Sequence, residues 1–163
     1  MSRLLLVALL ALAACAPSGP SFRSVDGKLS YALPQGWTTR DFPGLKYPVA
    51  SGTSDSSYAP NINLVSEPFD GPLEMYVEGN KETIARMFPD FQLVTEGPFP
   101  TDSGLHGFKV VGKGSQAGVP LEQAWYFFQG TPDFYVLTAS SAERDYAALE
   151  PSFDRSMKSF SLH

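Results

Sequence analysis

Apolar residues recur with period two over residues 28–34, where Leu29, Tyr31 and Leu33 fall on one side and Lys28, Ser30 and Ala32 on the other, the signature of a half-buried strand. Pro34-Gln35-Gly36-Trp37 reads as a turn. Over residues 41–60 the pattern dissolves into Gly, Pro, Ser and Asp, which predicts a long mobile loop with short extended pieces near 45–50. Alternation resumes over 61–67 through Ile62 and Leu64. Asp70-Gly71-Pro72 supplies a helix start, and residues 72–88 place Leu73, Tyr76, Val77, Asn80, Ile84 and Met87 at helical spacings, with Glu74, Glu78 and Glu82 on another side. Pro89 is expected to stop this helix.

Four extended segments follow, at 91–95, 105–111, 119–129 and 134–139, separated by turns bearing Gly and Pro. Trp125, Tyr126, Phe127 and Phe128 make both faces of the third apolar, as a central strand covered by helices requires. Tyr146, Leu149, Phe153, Met157 and Phe160 then return at helical spacing, although Pro151 predicts a break or bend near Glu150. The pattern describes an α+β domain in which a single antiparallel β-sheet is covered by helices.

The amino terminus carries a different pattern. Met1, Ser2 and Arg3 precede eleven apolar residues at 4–14, which suits a secretory signal and falls short of the ~20 needed to span a bilayer. Leu12-Ala13-Ala14-Cys15 resembles the lipobox of bacterial lipoproteins, and Cys15 is the only cysteine in the chain. The resemblance implies cleavage after residue 14 and lipidation of Cys15 with more than one acyl chain, the condition for stable membrane anchoring. Residues 1–14 are then the signal, 15–27 the lipidated cysteine with a Pro/Ser/Gly-rich tether, and 28–163 the domain. The expected address is the cell envelope, on the outer side of the cytoplasmic membrane or in the outer membrane. With its one cysteine occupied, the mature chain must be held by packing alone, without a disulfide.

Across the domain, Tyr31-Ala32-Leu33-Pro34-Gln35-Gly36-Trp37, Pro60-Asn61-Ile62-Asn63-Leu64, Tyr135-Val136-Leu137-Thr138-Ala139, Phe153 and Ser159-Phe160 together resemble the PsbP-like superfamily over residues 28–162. That superfamily includes extrinsic photosystem subunits, Mog proteins and DcrB-like envelope lipoproteins. The resemblance implies helix, sheet and helix in layers, and a non-catalytic adaptor or assembly factor; it offers no catalytic residues to carry over.

Charge and residue chemistry narrow the function further. The 163 residues hold 12 Lys and Arg against 17 Asp and Glu, and loss of the signal takes the net charge from −5 to −6. Such a balance argues against nucleic acid as a partner. The two histidines, His106 and His163, with Asp102 make too thin a ligand set to predict a metal. No Gly-x-Ser-x-Gly elbow accompanies them, so neither an enzyme nor a cofactor is expected. Gly112-Lys113-Gly114-Ser115-Gln116-Ala117 matches a dinucleotide fingerprint superficially, but it joins extended segments instead of opening a helix, and a hairpin loop is the expectation. The acidic row on the first helix is offset by Lys81 and Arg86 and reads as a solvated face.

Phe42, Tyr47 and Tyr58 stand out because large aromatics in a Gly/Ser-rich loop are favoured interface anchors. They are the expected contacts to an envelope protein partner whose assembly or stability the chain would serve. The competing expectation is a carrier or sensor of a small apolar ligand held between sheet and helices, which would need a closed apolar pocket.

Overall fold

The computed structural model describes residues 19–53, 58–88 and 90–163. Pro89, the signal, the lipobox and Cys15 therefore lie outside the described residues.

Strands β3 (Thr38–Arg40), β4 (Val49–Ser51), β5 (Asn61–Pro68), β6 (Gln92–Pro98), β7 (Gly107–Gln116), β8 (Val119–Gln129) and β9 (Asp133–Ala142) form one antiparallel sheet in the order β3-β4-β5-β9-β8-β7-β6. The two most apolar strands, β8 and β9, sit inside it, where both faces can be buried. Helices α1 (Leu73–Met87) and α2 (Glu143–Lys158) lie on opposite faces. Strand alternation divides β8 between them. Trp125 and Phe127 pack with Tyr76, Val77 and Ile84 of α1, while Tyr126 and Phe128 pack with Tyr146, Phe153 and Met157 of α2. The layered α+β architecture and the covering of the sheet on both faces are as the pattern predicts.

A second, three-stranded sheet adds to that expectation. Strands β1 (Ser21–Arg23) and β10 (Ser161–Leu162) pair on either side of β2 (Leu29–Ala32). Phe22 and Tyr31, with ring centroids 5.3 Å apart, join the α2-side core. The expected tether through residue 27 is accordingly corrected: the ordered domain starts by Ser21, because burying Phe22 and pairing a short edge strand outweigh the loop composition around them.

Other differences have local causes. The Gly-rich run 112–116 belongs to β7 itself, and the hairpin turn falls at Ala117-Gly118, both at positive φ as a two-residue turn matched to strand twist demands. Bare Cα atoms at Gly112 and Gly114 leave space for Phe91 and Phe88. In α1, Met87 is exposed and Phe88 turns inward in its place. Helix α2 runs unbroken through Pro151. The proline faces solvent, where the Ala147 carbonyl it leaves without an amide partner can be hydrated, and Phe153 and Met157 behind it are fully buried.

Candidate functional site

The loop singled out in the sequence divides its aromatics among different roles. Phe42-Pro43-Gly44-Leu45 closes a turn in which the Leu45 amide donates to the Phe42 carbonyl at 3.2 Å. Gly44 takes φ +85°, the value that position i+2 of a type II turn requires, with proline before it at i+1. The turn sets Phe42 and Leu45 side by side, 45% and 51% exposed, and the Arg40 guanidinium lies 5.6 Å from the Phe42 ring centroid. Tyr47 is placed otherwise. It belongs to the α2-side core, its hydroxyl lies 3.1 Å from Ser66 Oγ, and Lys46 Nζ donates to the same oxygen at 2.9 Å. It pins the loop to β5 and is not an exposed contact. Tyr58 is half-buried, and its hydroxyl accepts a hydrogen bond from Asn61 Nδ2 at 3.1 Å.

A second group of polar residues lies in the seam where α2 crosses β7 and β8. On the α2 face of the sheet, β7 supplies Lys109 and Lys113, and β8 supplies Glu122 and Tyr126. From α2 come Glu143, Tyr146, Glu150 and Asp154, at helical spacings that put them on one side. Lys109 Nζ donates to Glu150 Oε1 at 2.8 Å and to Asp154 Oδ1 at 2.7 Å, and its side chain is only 13% exposed. Tyr126 donates to the same Asp154 oxygen at 2.7 Å. Burial, and then the Asp154 carboxylate, push the Tyr126 hydroxyl far above its ordinary pKa, so it acts here as a donor.

Nearer the start of α2, Lys113 Nζ sits 2.9 Å from Glu143 Oε1 and 3.5 Å from Glu122 Oε2. The Glu122 side chain is 12% exposed, and burial raises its pKa despite Lys113. An open cleft of about 670 Å³ lies beside this pair, lined by Lys113, Pro120, Glu122, Glu143, Arg144 and Ala147, so that two cations and two carboxylates face it together. Tyr146 does not line the cleft: it packs in the α2-side core with its ring 6.0 Å from that of Phe153, and its buried hydroxyl, which has no hydrogen-bond partner, is pushed well above its ordinary pKa by burial first and then by Glu150, Glu122 and Asp154. This seam escaped the sequence because its parts come from three elements. The spacing of Lys109 and Lys113 on a strand and of Glu143, Glu150 and Asp154 on a helix makes each set cofacial, but nothing local says that the two faces meet.

The remaining candidates are dispersed. His106 is exposed ahead of β7, and His163 Nε2 lies 2.9 Å from Ser30 Oγ. Among the described residues, no group of three or more His, Cys, Asp or Glu side chains could hold a metal ion. On α1, Lys81 pairs with Glu78 at 3.0 Å and with Glu96 of β6 at 2.7 Å. No helix of the described residues is long and apolar enough to cross a membrane.

No protein-family model and no curated protein matches this chain. Solved structures do. Cyanobacterial PsbP (CyanoP) from Synechocystis superposes with a TM-score of 0.63 at 13% identity, covering 93% of this chain and 99% of that one. LpqN of Mycobacterium tuberculosis, involved in cell envelope biogenesis, superposes with a TM-score of 0.64 at 14% identity, covering 91% and 87%. A Pseudomonas aeruginosa protein of unknown function gives 0.63 at 14%, covering 78% and 97%. At such identities the likeness shows the fold: the chain has a PsbP-like fold.

Proposed function

We propose that this chain is a lipid-anchored, non-catalytic protein of the cell envelope whose PsbP-like domain binds another envelope protein and supports its assembly or stability. The observation that carries the reading is the type II turn at residues 42–45. It exposes Phe42 and Leu45 beside Arg40 on a support pinned by buried Tyr47. Aromatic and arginine side chains grouped around an apolar centre are the composition of binding hot spots. The LpqN likeness is consistent with an envelope setting, and the lipobox-like Leu12-Ala13-Ala14-Cys15 supplies the anchor in this reading. The carrier reading has less support. Interlocked rings occupy the space between sheet and α2, with Phe128 stacked on Phe160 at 4.9 Å and Phe153 edge-on to Trp37 at 5.9 Å.

Two measurements test this. Mass spectrometry of the amino terminus from native membranes should find an acylated Cys15 as the first residue, and Cys15→Ala should release the folded domain from the membrane. An unmodified Cys15 would remove the anchor from the proposal. Affinity capture of the full chain from native membranes should return a reproducible partner that Phe42→Ala loses at unchanged folding stability. Equal recovery with both forms would sink the role of the turn.

A further inference from the structure

We infer that the open edge of β3, with the turn at 42–45 beside it, receives an extended segment of the partner protein as an added antiparallel strand. One carboxylate side chain of that segment pairs with Arg40, and a large apolar one two positions away packs on Phe42 and Leu45. This deepens the protein-binding reading of the same turn and rests on it for the existence of a partner.

The seven-stranded sheet has two edges, β3 and β6, and they are finished differently. Strand β6 carries a bulge between Leu93 and Thr95, and its Glu96 is tied back to Lys81 of α1 at 2.7 Å. The Phe99 amide bonds inward to the Gly107 carbonyl, which leaves the outward position before it to Pro98, a residue with no N–H to offer. Bulges, edge prolines and charges are the devices that keep other strands from adding to an edge. Strand β3, Thr38-Thr39-Arg40, has neither bulge nor proline, and no other described strand pairs with its outer side.

The register fixes which of its main-chain groups face out. The Gly52 amide bonds to the Pro60 carbonyl at 3.0 Å, so Gly52 and, two residues back, Ala50 direct their main-chain groups at β5. Ser51 and Val49 then direct theirs at Thr38 and Arg40, and Thr39, opposite Ala50, turns its N–H and C=O away from the sheet. A three-residue edge gives few main-chain bonds, so side chains must supply most of the affinity.

Those side chains specify the segment. Arg40 and Phe42 lie on one side of the chain, as the 5.6 Å from guanidinium to ring centroid shows. Among the described residues, exposed Arg40 makes no ion pair, not even with Asp41 next to it. Lys46, at the far end of the turn, makes none either and is held on Ser66 Oγ. A guanidinium without a counter-ion, set beside an apolar ring, is complementary to a carboxylate, which it can bind through two parallel bonds. Side chains two apart on an added strand share a face roughly 7 Å apart, so a carboxylate opposite Arg40 brings an apolar neighbour to Phe42.

The test titrates the full chain in detergent micelles with acetyl-Leu-Thr-Glu-Thr-Leu-amide, followed by backbone amide NMR. Saturable shifts should centre on Thr39, Arg40 and Phe42, and exchange of the Thr39 amide with solvent should slow. Two control peptides separate the parts. Gln in place of Glu removes the charge, and N-methylation of the fourth residue removes the amide that would bond to the Thr39 carbonyl. Each should bind about three- to tenfold more weakly. Arg40→Gln should weaken the parent peptide by about the same factor and leave the Gln peptide unchanged. Arg155→Gln on α2, an equal charge change elsewhere, should leave the titration unaffected. Equal binding of the three peptides, indifference to Arg40→Gln, shifts centred on β6, or no saturation would each overturn the inference. If the probe fails while Phe42-dependent capture persists, strand addition is refuted and the protein-binding reading stands. A probe that binds while capture returns no partner refutes that reading and leaves the β3 site standing.

Discussion

Replacing Lys109 with Met tests whether the polar seam holds α2 to the sheet. The substitution keeps a stem of similar length against Phe99 and Tyr126 but removes the ammonium that meets Glu150 at 2.8 Å and Asp154 at 2.7 Å. Breaking a fully buried pair costs about 3–5 kcal/mol, and an exposed pair contributes about 0–1. Lys109 is 13% exposed but its partners are 37% and 36% exposed, so solvent screens what they lose. The cost should fall between those limits, at about 2 kcal/mol. For a domain of this size that lowers Tm by roughly 4–8 °C. Urea unfolding followed by tryptophan fluorescence is a suitable assay, because Trp37 reports from the α2-side core and Trp125 from the α1-side core. The triple variant Lys109→Met, Glu150→Gln, Asp154→Asn should regain at least half the loss, since it leaves no unpaired charge and keeps an acceptor for the Tyr126 hydroxyl. An unchanged midpoint in Lys109→Met would refute the clamp. A triple variant no more stable than the single would show that stem packing, not charge, was lost.

Other expectations follow from the same structure. Burial of Glu122 raises its pKa above the ordinary 4.5 despite Lys113 on β7 and with Glu143 and Glu150 on the facing helix. The folded state then binds this proton more tightly than the unfolded one, so stability falls as pH rises through the window above 4.5. The Tm of Glu122→Gln relative to the parent should therefore rise from pH 4 to pH 7, and a constant difference would contradict the burial argument. Gly107→Ala would put a Cβ 2.5 Å from the Phe128 ring and 2.7 Å from the Phe99 carbonyl oxygen, and should destabilise by about 1–3 kcal/mol in chemical denaturation. The same change at Gly79, in mid-α1 with nothing within 4 Å, should stabilise by about 0.5–1 kcal/mol, and matching signs at the two sites would contradict the packing. Tyr47→Ala should cost about 3–5 kcal/mol as a core deletion, against less than about 0.5 for Phe42→Ala at the surface, and comparable unfolding midpoints would refute the separation of their roles.

Much of this protein can be read from its own periodicities. Alternation over Leu29, Tyr31 and Leu33, the two apolar faces of residues 125–128, and the threefold and fourfold spacing of Tyr76, Val77 and Ile84 mark elements that appear where expected. These are local signals, because a side chain's face is set by the backbone period of its own segment. Loop composition singled out Phe42, which is exposed, together with Tyr47, which is buried, because composition marks the loop but not which of its side chains folds inward. Tertiary structure decided what local signals leave open. Phe22 and Tyr47 sit in segments of loop composition, yet burial against Tyr31 and hydrogen bonding near Ser66 draw both into the core. Pro151 carries a helix-breaking signal, which packing of Phe153 and Met157 and the ties of Glu150 and Asp154 to Lys109 override. The seam depends wholly on long-range juxtaposition: Lys109 and Asp154 are 45 positions apart, and only the crossing of α2 over β7 brings them within 2.7 Å. A sequence carries each face of each element, whereas the pairing of faces is settled by which arrangement buries the most apolar surface at once.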